Sequence, residues 1–396
     1  MTLRNSPLSM LLISFVILIL FSQCKDHEVI IDDLPPLTSN EIISQYLDID
    51  LENLDNYANP DYPIHYDENI LQNDNAPSIN KVTDAGATLG RVLFYDVNLS
   101  LNNTVACASC HKQELGFTDD RKLSLGFLGG ETGRHSMRLA NANFYTGERM
   151  FWDKRALDIE DQSTMPIKDH VEMGFDDSAG GIDSLLRKLS QLEYYPILFK
   201  EAFGTEIITE NGIKMALAQF IRSMVSTGSK FDKGFAQAYN PALPGRGINQ
   251  PFPNFTQEEN MGKQLYFTPP PQGGAGCAGC HNGTTFALAA NSQNNGLDAD
   301  ETIIFKSPSL KNIAVTGPYM HDGRFATLEE VVEHYNSGIQ MGPTLDNRLR
   351  VPTPNGQQPL RLNLSQAEKD ALVAFLKTLT DEALLGDEKF SDPFKG

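Results

Sequence analysis

Two runs, "MALAQFIRSMV" (215–225) and "DALVAFLKTL" (370–379), place apolar residues in helical register: Leu217, Phe220, Ile221 and Met224 in the first, Leu372, Phe375, Leu376 and Leu379 in the second. That spacing predicts an amphipathic helix in each. The second is preceded by Ser365 and Glu368, the spacing of a capping box. Two shorter apolar runs lie upstream, "GRVLFYD" (90–96) and "GKQLYF" (262–267). Few segments alternate apolar and polar residues as strands do, so the fold class expected is mostly α.

Three other patterns divide the chain. An almost wholly apolar run, "LSMLLISFVILILF" (8–21), follows Arg4 and has the length of a signal-peptide core, short for a membrane span. "FSQC" then sets Cys24 where a bacterial lipoprotein is cleaved and lipidated, although Gln23 stands where a small residue is usual. The alternative is a plain signal peptide; both imply export. From Asp26 to Asn80 there are thirteen carboxylates and no Lys or Arg, which reads as an extended acidic tether. "YNPALPGRGINQPFPNF" (239–255) is rich in turn-forming residues and reads as a linker. The divisions expected are therefore 1–24 signal, 25–80 tether, 81–240 first domain, 241–256 linker and 257–385 second domain.

Composition changes this picture little, but charge narrows it. The formal net charge of -19 argues against nucleic acid, since phosphate binding needs clustered Lys and Arg. An acidic surface suits basic partners.

The five cysteines carry the chemistry. "CASCH" (107–111) and "CAGCH" (277–281) use four of them, and each pair is followed at once by His. Exported chains usually spend cysteines on disulfides, and zinc accepts C-x-x-C, but neither requires the adjacent His. C-x-x-C-H is the c-type haem attachment pattern: two thioethers fix the macrocycle and the next imidazole reaches the iron. Cys107, Cys110, Cys277 and Cys280 are thus expected to hold two covalent haem c groups, with His111 and His281 as proximal iron ligands. "GRVLFYD" begins 17 residues before the first motif and "GKQLYF" 15 before the second, and each motif is followed by one of the amphipathic helices. The chain therefore reads as two cytochrome c-like haem domains in tandem.

From about Ala85 to Asp381 the sequence resembles the bacterial di-haem cytochrome c peroxidase and MauG family. The resemblance rests on the two haem motifs, on "FWDKRALDIEDQSTMPIKDHVEMGF" (151–175) and on "TGPYMHDGRFATLEEVVEHYNSG" (316–338). It implies that Trp152, the chain's one Trp, lies between the haems as an electron relay. It also implies that Gln162, Pro166 and Glu172 line the distal face of the first haem. Glu172 would move the proton that O–O cleavage requires.

Departures from the family pattern set further expectations. Where many family peroxidases carry a histidine that blocks the first iron, this chain has Phe127, and His135 follows eight residues later. Phenylalanine cannot ligate iron, so a five-coordinate first iron is expected, with His135 as the alternative blocking ligand. Tyr335 stands at the distal ligand position of the second haem, with Met341 and Met320 as alternatives. The family's calcium site would use the carbonyls of Thr316 and Pro318, but His135 occupies its Asn position, which leaves calcium open. His321, Asp322 and Arg324 are expected to organise their loop or meet haem propionates.

The function expected is reduction of hydrogen peroxide with electrons from a small redox protein, a cytochrome c or cupredoxin. A MauG-like oxidase acting on a protein substrate is the alternative, ahead of a pure electron-transfer cytochrome. The location expected is the periplasm, with membrane contact only through a lipid anchor, and a homodimer is left open.

Overall fold

In the computed structural model, residues 36–147 and 149–396 are described. The signal run 8–21 and Cys24 lie outside them. Each expected amphipathic helix forms and crosses the apolar helix that precedes its haem motif. In the first half, Asp84–Tyr95 packs on Glu210–Ser223; in the second, Gln257–Phe267 packs on Gln366–Lys377. Glycine permits both crossings. A Cβ on Gly90 would stand 2.1 Å from the Ala216 carbonyl oxygen, and one on Gly262 would stand 1.8 Å from that of Ala371. Phe220 and Phe375 back the two contacts in matching positions, so the halves repeat in three dimensions as they do in sequence. The expected capping box at Ser365 and Glu368 is present, and Thr256 with Glu259 forms another.

Strands are confined, among the described residues, to two small antiparallel pairs: His281–Asn282 with Ala287–Leu288, and Arg350–Thr353 with Gly356–Pro359. The mostly helical expectation holds.

Each half has its own apolar core. Phe94, Phe117, Leu217 and Phe220 belong to the first, and Phe231, Tyr266, Phe286 and Phe375 to the second. The division between them falls earlier than the turn residues suggested. Helix Lys230–Ala238 sends Phe231 and Phe235 into the second core, where they meet Phe252 and Phe255 of the expected linker. Proline and glycine there mark real turns, but three apolar side chains, Ile248, Phe252 and Phe255, bury enough surface to dock the segment. The chain end also departs from expectation. Leu384 and Phe390 return to the first core, and Arg91 donates to the carbonyls of Ser391 and Glu388, both at 2.7 Å.

The acidic tether is corrected from Thr38 onward. Ser39–Tyr46 is a helix whose Ile43, with Leu47 just beyond it, is fully buried in the first core, and Tyr57 and Tyr66 are buried further on. His65 reaches Asp232 at 3.1 Å beside Lys311, which pairs with the same carboxylate at 2.6 Å. A few well-placed apolar residues thus outweigh the segment's charge repulsion.

Candidate active site

The first haem motif forms a helical turn, Cys107–Cys110, in which i and i+3 put both thiols on one face. They face a cavity walled by Phe94, Leu139, Leu217 and Ile221. No disulfide joins the four cysteines, and burial raises the thiol pKa of Cys107 and Cys110. His111 donates from Nδ1 to the Phe117 carbonyl at 2.9 Å, with Ser136 Oγ at 3.2 Å. That bond fixes the ring and leaves the lone pair on Nε2, the arrangement of a ligating histidine. Burial also lowers its pKa, favouring the neutral form a metal needs.

Gln162, Pro166 and Glu172 line the same space. Gln162 comes from the turn Ile159–Ser163 and Pro166 from Met165–Lys168. Glu172 lies just beyond, its amide donating to Asp169 Oδ1 at 3.1 Å. A neighbouring loop clamps this backbone. Phe127 N donates to the Glu172 carbonyl at 3.0 Å, and a Cβ on Gly126 would stand 1.7 Å from the Val171 carbonyl oxygen. Phe127 itself lies against Gly174, a wedge that supports the distal segment. Burial, reinforced by the charge of Asp169 and opposed by Arg155, raises the Glu172 carboxyl to about 7.

His135 is placed poorly for blocking an iron. Nδ1 bonds the Arg121 carbonyl at 3.0 Å and Nε2 faces Thr118 Oγ1 at 3.3 Å, so both nitrogens are engaged. The same engagement makes it a poor calcium ligand.

The second motif opens onto a cavity of about 470 Å³, lined by Cys277, Cys280, His281 and mainly apolar side chains. Its size and lining are those of a cofactor site. Tyr266 Oη donates to the His281 carbonyl at 3.0 Å, while His281 Nδ1 is buried with no partner among the described residues. Burial, with Arg138 and Arg348 nearby, lowers His281 to about 3, which keeps the imidazole neutral. A neutral imidazole on the cavity wall is the form that ligates a metal. Across the cavity, Asn295 Nδ2 lies 3.4 Å from Tyr335 Oη and 3.5 Å from Met320 Sδ. Tyr335 sits in a π-helical turn, His334–Gly338, a distortion frequent at functional sites. Met341 packs against Ile339 and Leu345 instead. Of the three distal candidates, Tyr335 and Met320 line the cavity.

Trp152 lines both the second cavity and the distal space of the first. Its Nε1 donates to the His135 carbonyl, and its own carbonyl accepts from Lys306 N, each at 2.7 Å. His321 lies edge-on to it, with ring centroids 6.4 Å apart, and stacks on Phe305. Arg324 is held by Asp298 and Asp322, an arrangement that organises the loop. Sequence reasoning missed Arg138, Lys306 and Asn295. A lone Lys in "IIFKSPSL" with no nearby carboxylate was the one available signal for Lys306.

Comparison with known proteins agrees with this geometry. The di-haem cytochrome c peroxidase family profile matches residues 84–240. The methylamine utilization protein MauG of Methylophilus methylotrophus is 30% identical over 325 residues, covering 78% of this chain and 86% of that protein. The chain belongs to the di-haem cytochrome c peroxidase family. Cytochrome c551 peroxidase of Nitrosomonas europaea is 30% identical over 314 residues, 75% of this chain and 80% of that one. A crystal structure of a MauG-like protein associated with microbial copper homeostasis superposes with a TM-score of 0.64 at 30% identity, covering 85% of this chain and 97% of the other. As a family member, the chain is a haem-dependent oxidoreductase with two haem groups, acting on peroxide with a redox partner. Relatives carry both the MauG and the peroxidase names. Among the described residues no helix is long and apolar enough to cross a membrane.

Proposed function

We propose that this chain reduces hydrogen peroxide to water at the first cavity, using two electrons and two protons for each peroxide. Cys107 and Cys110 hold one haem c covalently with His111 as ligand, and Cys277 and Cys280 hold the other with His281 and Tyr335. Bound haem supplies the iron centre that takes peroxide and the redox couples that carry electrons. The chain supplies the rest. Glu172, neutral or ionised near pH 7, takes a proton from the near peroxide oxygen and returns it to the far one. Gln162 presents an amide to the same space, and Trp152, fixed at both its indole and its carbonyl, occupies the electron path between the cavities. Electrons come singly from a small redox protein, a cytochrome c or cupredoxin, in the periplasm, where Cys24 would anchor the chain through lipid. No calcium is assigned.

The observation that carries this reading is a half-buried carboxyl of raised pKa, Glu172, in the cavity that His111 lines. Glu172→Gln tests it: both haems should remain attached while peroxide turnover falls by about two to four powers of ten. Undiminished turnover would remove Glu172 from the mechanism.

Three observations favour a second reading. With Phe127 at the blocking position, both His135 nitrogens engaged and Tyr335 in the second cavity, the protein suits MauG-like oxidation of a partner protein's side chains. Peroxide consumed at the same rate with and without a reduced donor would favour that reading.

A further inference from the structure

Arg138 and Lys306 both line the two cavities, beside Trp152. Lys306 is buried and Arg138 half-buried. Lys306 is 3% exposed, and among the described residues its Nζ meets Met137 Sδ at 3.7 Å and the face of Tyr145 at 4.6 Å. Arg138 gives Nε to the Ser309 carbonyl at 2.5 Å and Nη2 to Pro308 at 3.3 Å. Among the described residues neither is ion-paired. Two other buried cations are paired, Lys311 with Asp232 at 2.6 Å and Arg222 with Glu160 at 2.6 Å, while buried Lys263 is met by the carbonyls of Ile248 and Gln250, partners that Lys306 Nζ does not have among the described residues. Two cations without an opposite charge in a low-dielectric site are costly to hold and repel one another. Burial accordingly lowers Lys306 to about 7, with Arg138 and Lys154 adding to the effect.

Buried charges are ordinarily matched by an opposite charge. Among the described residues these two have none, but each cavity receives a haem, and each haem carries two propionate carboxylates. We propose that Arg138 and Lys306 form a carboxylate-binding site shared by the two haems, taking propionates at the wall between the cavities. Lys306 then has two functions in one residue: its ammonium neutralises a propionate, and its amide holds the carbonyl of Trp152. The charge that tunes the haems and the residue between them are therefore fixed to one segment. Arg324 is excluded from this role by its bonds to Asp298 and Asp322.

The inference rests on the presence of two haems, and not on which reaction they perform. A cation beside a haem favours the reduced state, so its removal favours the oxidised state. In the holoprotein, Lys306→Met should retain two haems by pyridine haemochrome assay while shifting the reduction equilibrium of at least one haem about tenfold toward oxidised, or about 59 mV for a one-electron couple. Lys306→Arg should stay close to wild type. A shift in both haems supports the shared site, and a shift in one alone overturns the sharing and confines the site to that haem. Wild-type potentials at both haems in a fully loaded Lys306→Met protein would overturn the proposal. Should that variant fail to accumulate, resonance Raman spectra of Lys306→Arg and Arg138→Lys decide instead. A moved propionate bending band supports the site, and a band unmoved in both overturns it. Loss of turnover in Glu172→Gln with unchanged potentials would leave the two readings separable.

Discussion

Trp152 Nε1 donates to the carbonyl oxygen of His135 at 2.7 Å, and the His135 ring is held in turn by Arg121 and Thr118. The residue that first suggests a blocking ligand is therefore a brace for the residue between the cavities. Trp152→Phe keeps the aromatic bulk and loses that bond, at a stability cost of about 1 kcal/mol. Both haems should remain, while electron transfer between them slows, as rapid-mixing spectroscopy would follow. Transfer at the wild-type rate would rule out the indole as a relay.

Glu172 also links pH to stability. Its folded pKa of about 7 lies above the ordinary value of 4.5, so the native state binds the proton more tightly than the unfolded chain. Its penalty is absent below about pH 4.5, grows as pH rises to 7, and is complete above that. Glu172→Gln should therefore be more stable than wild type at pH 8, by on the order of 3 kcal/mol, with the gain gone at pH 4. Denaturant titrations at the two pH values check this, and a gain of the same size at both would contradict the assigned burial.

Asp232 binds Lys311 and His65 in the interior, and all three are essentially unexposed. Replacing Asp232 by Asn strands a buried ammonium and should cost about 3–5 kcal/mol. The double variant Asp232→Leu, Lys311→Met removes both charges and should recover most of that loss in thermal unfolding. A double variant as unstable as the single one would show that shape, not charge, dominates there.

The acidic N-terminal segment is structural from Thr38 on. Ile43→Ala empties a fully buried site and should cost about 2–5 kcal/mol. A change below about 0.5 kcal/mol, as expected of a solvated tether, would contradict the packing.

These particulars show what was legible in the sequence. The two C-x-x-C-H motifs were, because two Cys and a His within five consecutive positions stand out in any chain, and each motif lines a cavity of the fold. The two amphipathic helices were, because their apolar residues keep helical period; that each crosses the helix of Gly90 or Gly262 appears only in the fold. The segment 38–80 was not: Ile43, Leu47, Tyr57 and Tyr66 follow no period, and their burial depends on surfaces hundreds of residues away. The domain boundary was misplaced for a related reason, since Phe252 and Phe255 sit among turn residues whose composition resembles a linker. Arg138 and Lys306 were invisible because what distinguishes them is a missing partner, and only the fold shows which charges go unpaired.

The most direct test of the account is an electron paramagnetic resonance spectrum of the fully oxidised protein before and after peroxide. An iron held by His111 with Glu172 across an open distal space should give a high-spin ferric signal beside a low-spin one. Peroxide should abolish the high-spin signal within mixing time in wild type and far more slowly in Glu172→Gln. Two low-spin signals indifferent to peroxide would contradict the account, since they would mean a first iron closed by a protein ligand.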